Sequence, residues 1–202
     1  MTNYVDNSEG GSLNYFGRLS LIDRVIQYFR FRIVYKHILK ESFVIDFGSG
    51  DGSFLFHFKD KILRGVALDR YPSSRELGNI QFLPFNIDND DYHKIPGAGK
   101  ADIITSLAVI EHIKSPENFI RLSFNLLKTG GSLVLTTPTP RSRRLLEFLA
   151  FKLGLISRKE ILDHRQYLWG YQLYTMALDA GFKSAKWKEF EFGMNTLFVA
   201  IK

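Results

Sequence analysis

The sequence predicts an α/β protein with a three-layer, doubly wound, mostly parallel seven-stranded sheet that ends in a C-terminal antiparallel hairpin. Three observations lead to this fold class. Short apolar runs alternate with segments of helical periodicity, the first of these runs stops at a glycine-rich turn, and the last two runs are separated only by residues 193–195. The 202 residues suffice for one sizeable core, so residues 1–202 are interpreted as a single domain.

Composition and charge exclude several classes of protein. Apolar residues make up 45% and charged residues 24% of the chain, which is typical of a folded globular protein. The chain has 0 cysteines, which excludes disulfide frameworks, cysteine-ligated zinc, iron–sulfur clusters and a cysteine nucleophile. A net charge of +6 permits an anionic partner without identifying one.

The first twenty residues are polar and rich in Gly, Ser and Asn. Residues 1–20 are therefore predicted to form a flexible arm. They are not predicted to be a secretory signal, because they lack its basic start and apolar centre. Charged residues interrupt every candidate run before it reaches the roughly 18 apolar residues of a membrane span. The sequence predicts a cytoplasmic protein that touches a membrane at most peripherally.

Each element follows from a local pattern, and the first half of the chain reads as helix, strand, helix, strand, strand. Apolar residues at helical spacing predict a helix over 21–39, and the run Phe-Val-Ile-Asp-Phe predicts a buried strand over 43–47. The glycine turn ends that strand, after which the pattern predicts a helix and two strands, over 53–61, 65–69 and 79–83.

The second half of the chain repeats the alternation once and then departs from it. The predicted elements are a strand over 101–107, a helix over 115–128 with Ser115 at its cap and Pro116 in its first turn, and a strand over 132–137. Residues 141–164 interrupt the pattern as an inserted apolar lid or substrate segment with basic flanks. A helix over 167–180 and a hairpin of strands over 184–191 and 196–201 complete the chain.

The glycine turn is the first feature that indicates a ligand. Gly48, Gly50 and Gly52 alternate, which lets the backbone turn tightly and approach a nucleotide or nucleoside closely. The dinucleotide fingerprint needs a glycine three residues after Gly50, where this chain has Ser53, so a pyrophosphate is disfavoured. Asp69 ends the next strand, where a carboxylate accepts hydrogen bonds from both ribose hydroxyls.

Three runs together resemble the seven-stranded class I S-adenosylmethionine-dependent methyltransferases. They are residues 44–52, 66–69 and 104–112, and the resemblance extends from residue 42 to residue 202. It implies S-adenosylmethionine as cofactor, with Asp46 contacting the methionine ammonium, directly or through water. It also implies that the turn of Gly48, Ser49 and Gly50 lies along the methionine and ribose, while Asp69 holds the ribose.

The same resemblance implies contacts further along the sheet. In this family an acid after the third strand often meets the adenine amino group, and the alignment places Asn86 there, with Asp88 as a competing assignment. Ile87 beside Asn86, and Leu107 at the end of the fourth strand, complete the predicted cofactor-binding set. The structural alternative is that Asn86 only forms a turn and Asp69 only caps a strand or helix.

Two histidines are candidates for a general base. Transfer of a methyl group to a hydroxyl benefits from a proton acceptor, and histidine suits that role near neutral pH. His112 follows the fourth strand and His164 follows the inserted segment, although either residue has a structural role as an alternative. Glu111-His112 also resembles part of a metal-binding quinone O-methyltransferase pattern, but Ala108 stands where that pattern has a glutamate, so no metal site is predicted.

The sequence restricts the class of methyl acceptor without identifying the acceptor. The chain lacks the Asn/Asp-Pro-Pro-aromatic motif of base-modifying amino methyltransferases, so nucleic acid is not the expected partner. We expect O-methylation of a small molecule, glycan, quinone or lipid-linked acceptor, with residues 141–159 as a candidate contact to a membrane surface. The alternatives are an RNA methyltransferase and a non-catalytic binding module that kept the fold.

Overall fold

The computed structural model describes residues 21–70, 74–153 and 158–202, which form one sheet with helices on both faces. The predicted arm over residues 1–20 lies outside the described residues. The strands are β1 Phe43–Phe47, β2 Arg64–Asp69, β3 Arg75–Leu77, β4 Ile80–Pro84, β5 Ala101–Leu107, β6 Leu127–Pro138, β7 Ser184–Phe190 and β8 Asn195–Ile201. The helices are α1 Leu21–Tyr35, α2 Ser53–His57, α3 Pro116–Leu126, α4 Arg143–Phe151, α5 Arg158–Asp163 and α6 Gly170–Asp179.

The sheet has the strand order β3-β4-β2-β1-β5-β6-β8-β7. The five neighbouring strands β4, β2, β1, β5 and β6 run parallel, whereas β8 pairs antiparallel with both β6 and β7. The predicted doubly wound sheet with a terminal hairpin is therefore confirmed. The sequence analysis missed one strand, since the short and exposed β3 pairs antiparallel with β4 and brings the number of strands to 8 rather than seven.

Side chains alternate between the two faces of the sheet, as the period of a strand requires. In β1, Ile45 and Phe47 face the core that contains α3 and α6, whereas Val44 faces the core that contains α1 and α2. The ring of Phe47 meets the ring of Phe119 edge-on, with centroids 5.3 Å apart, which ties the central strand to α3. The three predicted layers follow from these two cores.

Several element boundaries differ from those predicted. The first two helices end at Tyr35 and His57 rather than at residues 39 and 61, and β6 is longer than the predicted strand at both ends. The inserted segment over 141–164 contains two helices, α4 and α5, with residues 154–157 outside the described part. None of the helices described is long and apolar enough to cross a membrane.

The strand order places the ligand crevice. The central strand β1 has β2 as its neighbour on one side and β5 on the other. The first half of the chain builds the sheet outward from β1 past β2, and β5 begins the second half on the opposite side. In open sheets of this kind ligands bind outside the carboxyl ends of the strands where the order reverses. The carboxyl ends of β1 and β5 are the expected position of the site.

Candidate active site

Asp46 is a buried carboxyl group at the crevice between β1 and β5. It is the penultimate residue of β1, its side chain is 3% exposed, and Thr105 of β5 donates a hydrogen bond of 2.6 Å to its Oδ1. Burial raises the pKa of Asp46 to about 7; the Thr105 hydrogen bond opposes this shift, while the negative charge of Asp69 adds to it. A cationic group bound here relieves the cost of the buried charge.

The glycine turn after β1 is fixed by the protein around it. Gly48 and Gly52 have φ of 68° and 82°, in the left-handed region that favours glycine. A Cβ on Gly48 would overlap the side chain of Val109, and a Cβ on Gly52 would overlap the ring of Phe82. Packing therefore demands glycine at these two positions whether or not a ligand is bound.

Asp69 is linked directly to this turn. Its Oδ2 accepts a hydrogen bond of 2.9 Å from the amide of Gly50, and its Oδ1 accepts one of 2.7 Å from the amide of Arg70. The carboxylate thus holds the glycine turn against the end of β2, and its remaining lone pairs are available to a ligand. The predicted contact to ribose stays a prediction, with a structural role beside it.

The adenine end of the predicted site is a polar turn after β4. Asn86 Oδ1 accepts a hydrogen bond of 3.0 Å from the amide of Asp88, and the amide of Asn86 donates one of 2.6 Å to Asp90. Asp88 is engaged on both oxygens, with the amide of Lys114 at 2.9 Å and the guanidinium of Arg70 at 3.3 Å. Asn86 therefore shapes the turn, and its side-chain NH₂ keeps its donors for a ligand.

Ile87 and Leu107 provide apolar surface near the same edge. Ile87 packs against the core on the α3 side of the sheet, whereas Leu107 packs against the core on the α1 side. Both side chains are half-buried, so each keeps part of its surface for contact with a ligand. Their assignment as cofactor-binding residues stays a prediction.

Buried hydroxyl groups without a hydrogen-bond partner gather at this edge. Within the described residues they belong to Ser49, Ser106, Thr136 and Thr196. Ser49 lies in the glycine turn, Ser106 is near the end of β5, and Thr136 pairs with Leu107 in the sheet. Buried polar groups in native proteins almost always have a partner, so water or a polar ligand is expected here.

His112 and the residues after α5 form the second part of the site. His112 Nδ1 lies 3.2 Å from Asp163 Oδ2 and 3.3 Å from the carbonyl oxygen of Asp163, 51 residues away. Two backbone hydrogen bonds, from the amides of Arg165 and Gln166 to the carbonyl of Glu111, fix this segment beside the turn after β5. Two acceptor oxygens of Asp163 near Nδ1 favour a proton on that nitrogen, which leaves Nε2 of neutral His112 with a lone pair.

The structure also brings the two predicted histidines together. The rings of His112 and His164 pack edge-to-face with centroids 4.7 Å apart, and His164 Nδ1 lies 2.9 Å from the hydroxyl oxygen of Tyr167. The pKa of His164 is lowered to about 4, mainly by burial and to a smaller extent by the neighbouring His112, against the opposing effect of Asp163. His164 is thus a neutral imidazole at ordinary pH, and His112 is the better candidate for a base.

Glu111 stands beside both histidines. It is 1% exposed, and its Oε2 accepts a hydrogen bond of 3.0 Å from the hydroxyl of Thr137. Burial raises the pKa of Glu111, against the opposing effects of nearby His112 and Arg30. One ligand atom each of Glu111, His112 and His164 lies within 4.8 Å of the others, which is a spacing that a metal ion can use. The absence of a metal site stays a prediction.

A cavity of about 410 Å³ opens next to His164. Pro140 and the α4 residues Arg143 and Glu147 form one wall, and the segment from His164 to Tyr167 forms the other. The guanidinium of Arg143 pairs with Glu147 at 2.9 Å and lies over the ring of Tyr167. A cavity of this size suits a small organic molecule, and the imidazole of His164 is part of its lining.

The sequence analysis missed several of these residues. Thr105 and Asp163 carry no local signal, because their roles depend on which strands and segments meet in space. Arg30 of α1 also carries no local signal, because the sequence does not distinguish it from the other basic residues of that helix. Its Nε is buried and has no hydrogen-bond partner among the described residues. Burial raises the pKa of Glu111 and of Glu191 and lowers that of His164; the charge of Arg30 opposes the first two shifts and adds to the third.

Comparisons with known proteins agree with this fold and show the family of the chain. Residues 18–186 match the family model described as a methyltransferase domain. The chain therefore belongs to the methyltransferase domain family, and the prediction of a class I S-adenosylmethionine-dependent methyltransferase is confirmed for the family and the enzyme class.

The similar curated proteins share one description. A ubiquinone biosynthesis O-methyltransferase of Psychrobacter arcticus is 31% identical over 88 residues, which are 42% of this chain and 34% of that protein. One of Acinetobacter baumannii is 24% identical over 101 residues, which are 46% of this chain and 43% of that protein. The matches thus span less than half the length of either relative.

Solved structures agree at the level of the fold. A SAM-dependent methyltransferase from Thermotoga maritima superposes with a TM-score of 0.67 at 16% identity, covering 94% of this chain and 95% of that one. One from Archaeoglobus fulgidus gives a TM-score of 0.67 at 16% identity, covering 89% and 94%. Identities this low describe the architecture and carry no information on the acceptor.

Proposed function

We propose that this methyltransferase transfers the methyl group of S-adenosylmethionine to a hydroxyl of a small-molecule, glycan, quinone or lipid-linked acceptor. The observation that carries the proposal is the His112–Asp163 pair, an oriented imidazole whose ring packs against His164, which lines the cavity. Hydroxyl acceptors need such a base more than amines do, because a hydroxyl group has to give up its proton while it forms the new bond.

The residues at the crevice fit the cofactor. Asp46 offers a buried carboxyl group to an ammonium, and the unpartnered hydroxyl of Ser49 in the glycine turn suits a polar ligand. Asp69 and Asn86 keep hydrogen-bonding capacity for ribose and adenine. When bound, S-adenosylmethionine supplies an electrophilic methyl group on a sulfonium. The protein then has to orient the acceptor and remove its proton.

We assign the proton acceptor to Nε2 of His112. Asp163 holds the Nδ1 proton and stabilises the imidazolium that results, in the same way as the acid of a catalytic triad. His164 lines the cavity as a neutral ring and serves as a positioning residue for the acceptor oxygen. The names of the curated relatives, which are O-methyltransferases of ubiquinone biosynthesis, support a hydroxylated acceptor.

The test is methyl transfer to a panel of catechols and hydroquinones, with aniline analogues and a short RNA as competing acceptors. We expect turnover on the phenols and a loss of kcat of roughly 100-fold or more in His112→Ala, with unchanged affinity for S-adenosylhomocysteine. Asp163→Asn should lower kcat with unchanged affinity for S-adenosylhomocysteine, because the imidazolium of His112 then lacks its anionic partner. His164→Ala should act mainly on KM.

Three outcomes would contradict the proposal. Methylation of the aniline analogues or of the RNA would replace the acceptor class, and salt-dependent RNA binding would support the second of these. Activity that disappears with a chelator and returns with a divalent cation would make Glu111, His112 and His164 metal ligands rather than a base system. Binding of S-adenosylhomocysteine without turnover on any acceptor would support a non-catalytic module.

A further inference from the structure

Helix α4 has two faces of different chemistry. The face toward the cavity carries Arg143 and Glu147, which pair with each other at 2.9 Å. The opposite face carries Arg144, Leu145 and Phe148, and Lys152 follows directly after the helix. The acidic residue of the helix is thus turned toward the cavity, and the outer face presents only cations and apolar side chains.

The apolar side chains on this outer face are open to solvent. Leu145 is 42% exposed and Phe148 is 51% exposed. Arg144 and Lys152 form no ion pair with any residue that the structure describes. Aromatic and apolar groups between unneutralised cations are typical of a helix that lies in the interface of an anionic membrane.

The tip of the β7–β8 hairpin lies next to the start of α4 and carries another exposed ring. Phe192 is 103% exposed and has a φ of 57°, a strained conformation for a large residue. Arg141, just before α4, pairs with Glu189 of β7 at 3.4 Å. A Cβ on Gly193 would lie 3.6 Å from the Nη1 atom of Arg141. The hairpin tip therefore adjoins the start of α4 at the carboxyl edge of the sheet.

We propose that Arg144, Leu145, Phe148, Lys152 and Phe192, here called the rim surface, rest on a membrane of anionic phospholipid. The two cations face the headgroups, and the two phenyl rings enter the boundary between headgroups and acyl chains. Charge complementarity favours a lipid surface, because the outer face of α4 carries cations and no acidic side chain, while the acids near Phe192 are engaged, Glu189 with Arg141 and Glu191 with Asn195. The cavity, lined by the other face of α4, then opens beside the bilayer.

The proposal is independent of the acceptor and of catalysis, so its test measures binding alone. The full chain is mixed with phosphatidylcholine vesicles, either pure or containing about 30 mol % phosphatidylglycerol, and bound protein is separated by flotation. We expect binding to the anionic vesicles, weakened by salt, and little binding to the neutral ones.

Variants locate the contact. Arg144→Gln with Lys152→Gln should weaken binding by about 30-fold, which is the effect expected for two juxtamembrane cations. Phe192→Ser should weaken it by roughly tenfold through loss of an inserted ring. The matched control is Arg121→Gln with Lys183→Gln, two exposed cations away from the rim surface, and it should bind more tightly than the rim variant.

Equal binding by the rim and control variants, or no binding to anionic vesicles, would overturn the proposal. The folded wild-type protein could instead fail to bind vesicles and form a dimer that is lost in Phe148→Ser. That result would assign the rim surface to a second copy of the chain. Circular dichroism of each variant separates these results from a failure to fold.

Discussion

The buried carboxyl group of Asp46 makes binding of a cationic ligand dependent on pH. Because burial raises its pKa to about 7, the group in the free protein is mostly protonated below neutral pH. An ammonium pairs well only with the ionised form, so binding must expel the proton. Each pH unit below the pKa should lower the association constant about tenfold, giving a loss of roughly 100-fold between about pH 8 and pH 5.

Calorimetric titration with S-adenosylhomocysteine measures this effect. At about pH 6, heats recorded in two buffers of different ionisation enthalpy should show close to one proton released for each ligand bound. Asp46→Asn should bind more weakly, with little change across the same range. Thr105→Val should move the midpoint to higher pH, because the hydroxyl of Thr105 lowers the pKa of Asp46. A flat affinity between about pH 8 and pH 5 in the wild type would refute the reasoning.

The same shift affects folding without any ligand. A carboxyl group whose folded pKa is raised binds its proton more tightly in the folded state, so it stabilises the fold least when it is ionised. The ordinary pKa of this carboxyl group is near 3.8, and its pKa in the folded protein is about 7. The stability that the group contributes is lost as the pH rises from the first value to the second. Asp46→Asn should therefore raise the free energy of unfolding at about pH 8 by about 2 kcal/mol in urea titrations. No gain at that pH would mean that the carboxylate is solvated.

Three further variants test other parts of the site. Asp69→Ala should weaken S-adenosylhomocysteine binding by about 30-fold or more in calorimetry, because it frees the Gly50 amide and removes a charged acceptor; full affinity would leave Asp69 without a role. Gly48→Ala should cost about 2 kcal/mol of stability in urea titrations, since its Cβ overlaps Val109 at a φ of 68°, and adding Val109→Ala should recover part of that loss. Glu111→Gln should raise stability by about 1 kcal/mol at about pH 8 and by less at about pH 5, because burial raises the pKa of Glu111; an equal gain at both values would contradict this sign.

The central architecture could be predicted because its signals are local. A buried apolar run that ends at alternating glycines defines β1 and its turn, and β5 matches its predicted bounds at residues 101–107. The strand β3 was missed because its three residues are all exposed and show no alternation. Helix ends were less certain, since packing rather than sequence periodicity decides where a helix stops.

The sequence indicated which residues lie at the candidate site, but not the contacts between them. Glycines and acids after successive strands indicated the ligand edge, because parallel strands end at one side of the sheet. The meeting of His112 with Asp163 depends on a contact across 51 residues, for which the chain offers no spacing rule. The same holds for Thr105, which reaches Asp46 only through the pairing of β1 with β5.

The segment that carries α4 and α5 is attached to the rest of the protein at its two ends. At its start, the Thr139 hydroxyl donates to the Gly193 carbonyl at 2.8 Å, and at its end the residues after Asp163 bond to Glu111. His112 lies outside the segment, Asp163 and His164 lie at its end, and the cavity wall of α4 lies between the two attachments. The segment therefore spans two fixed points at the carboxyl edge of the sheet, so that a change of length or lining within α4 would alter the cavity wall while the strands that carry Asp46 and lead to His112 stay in place.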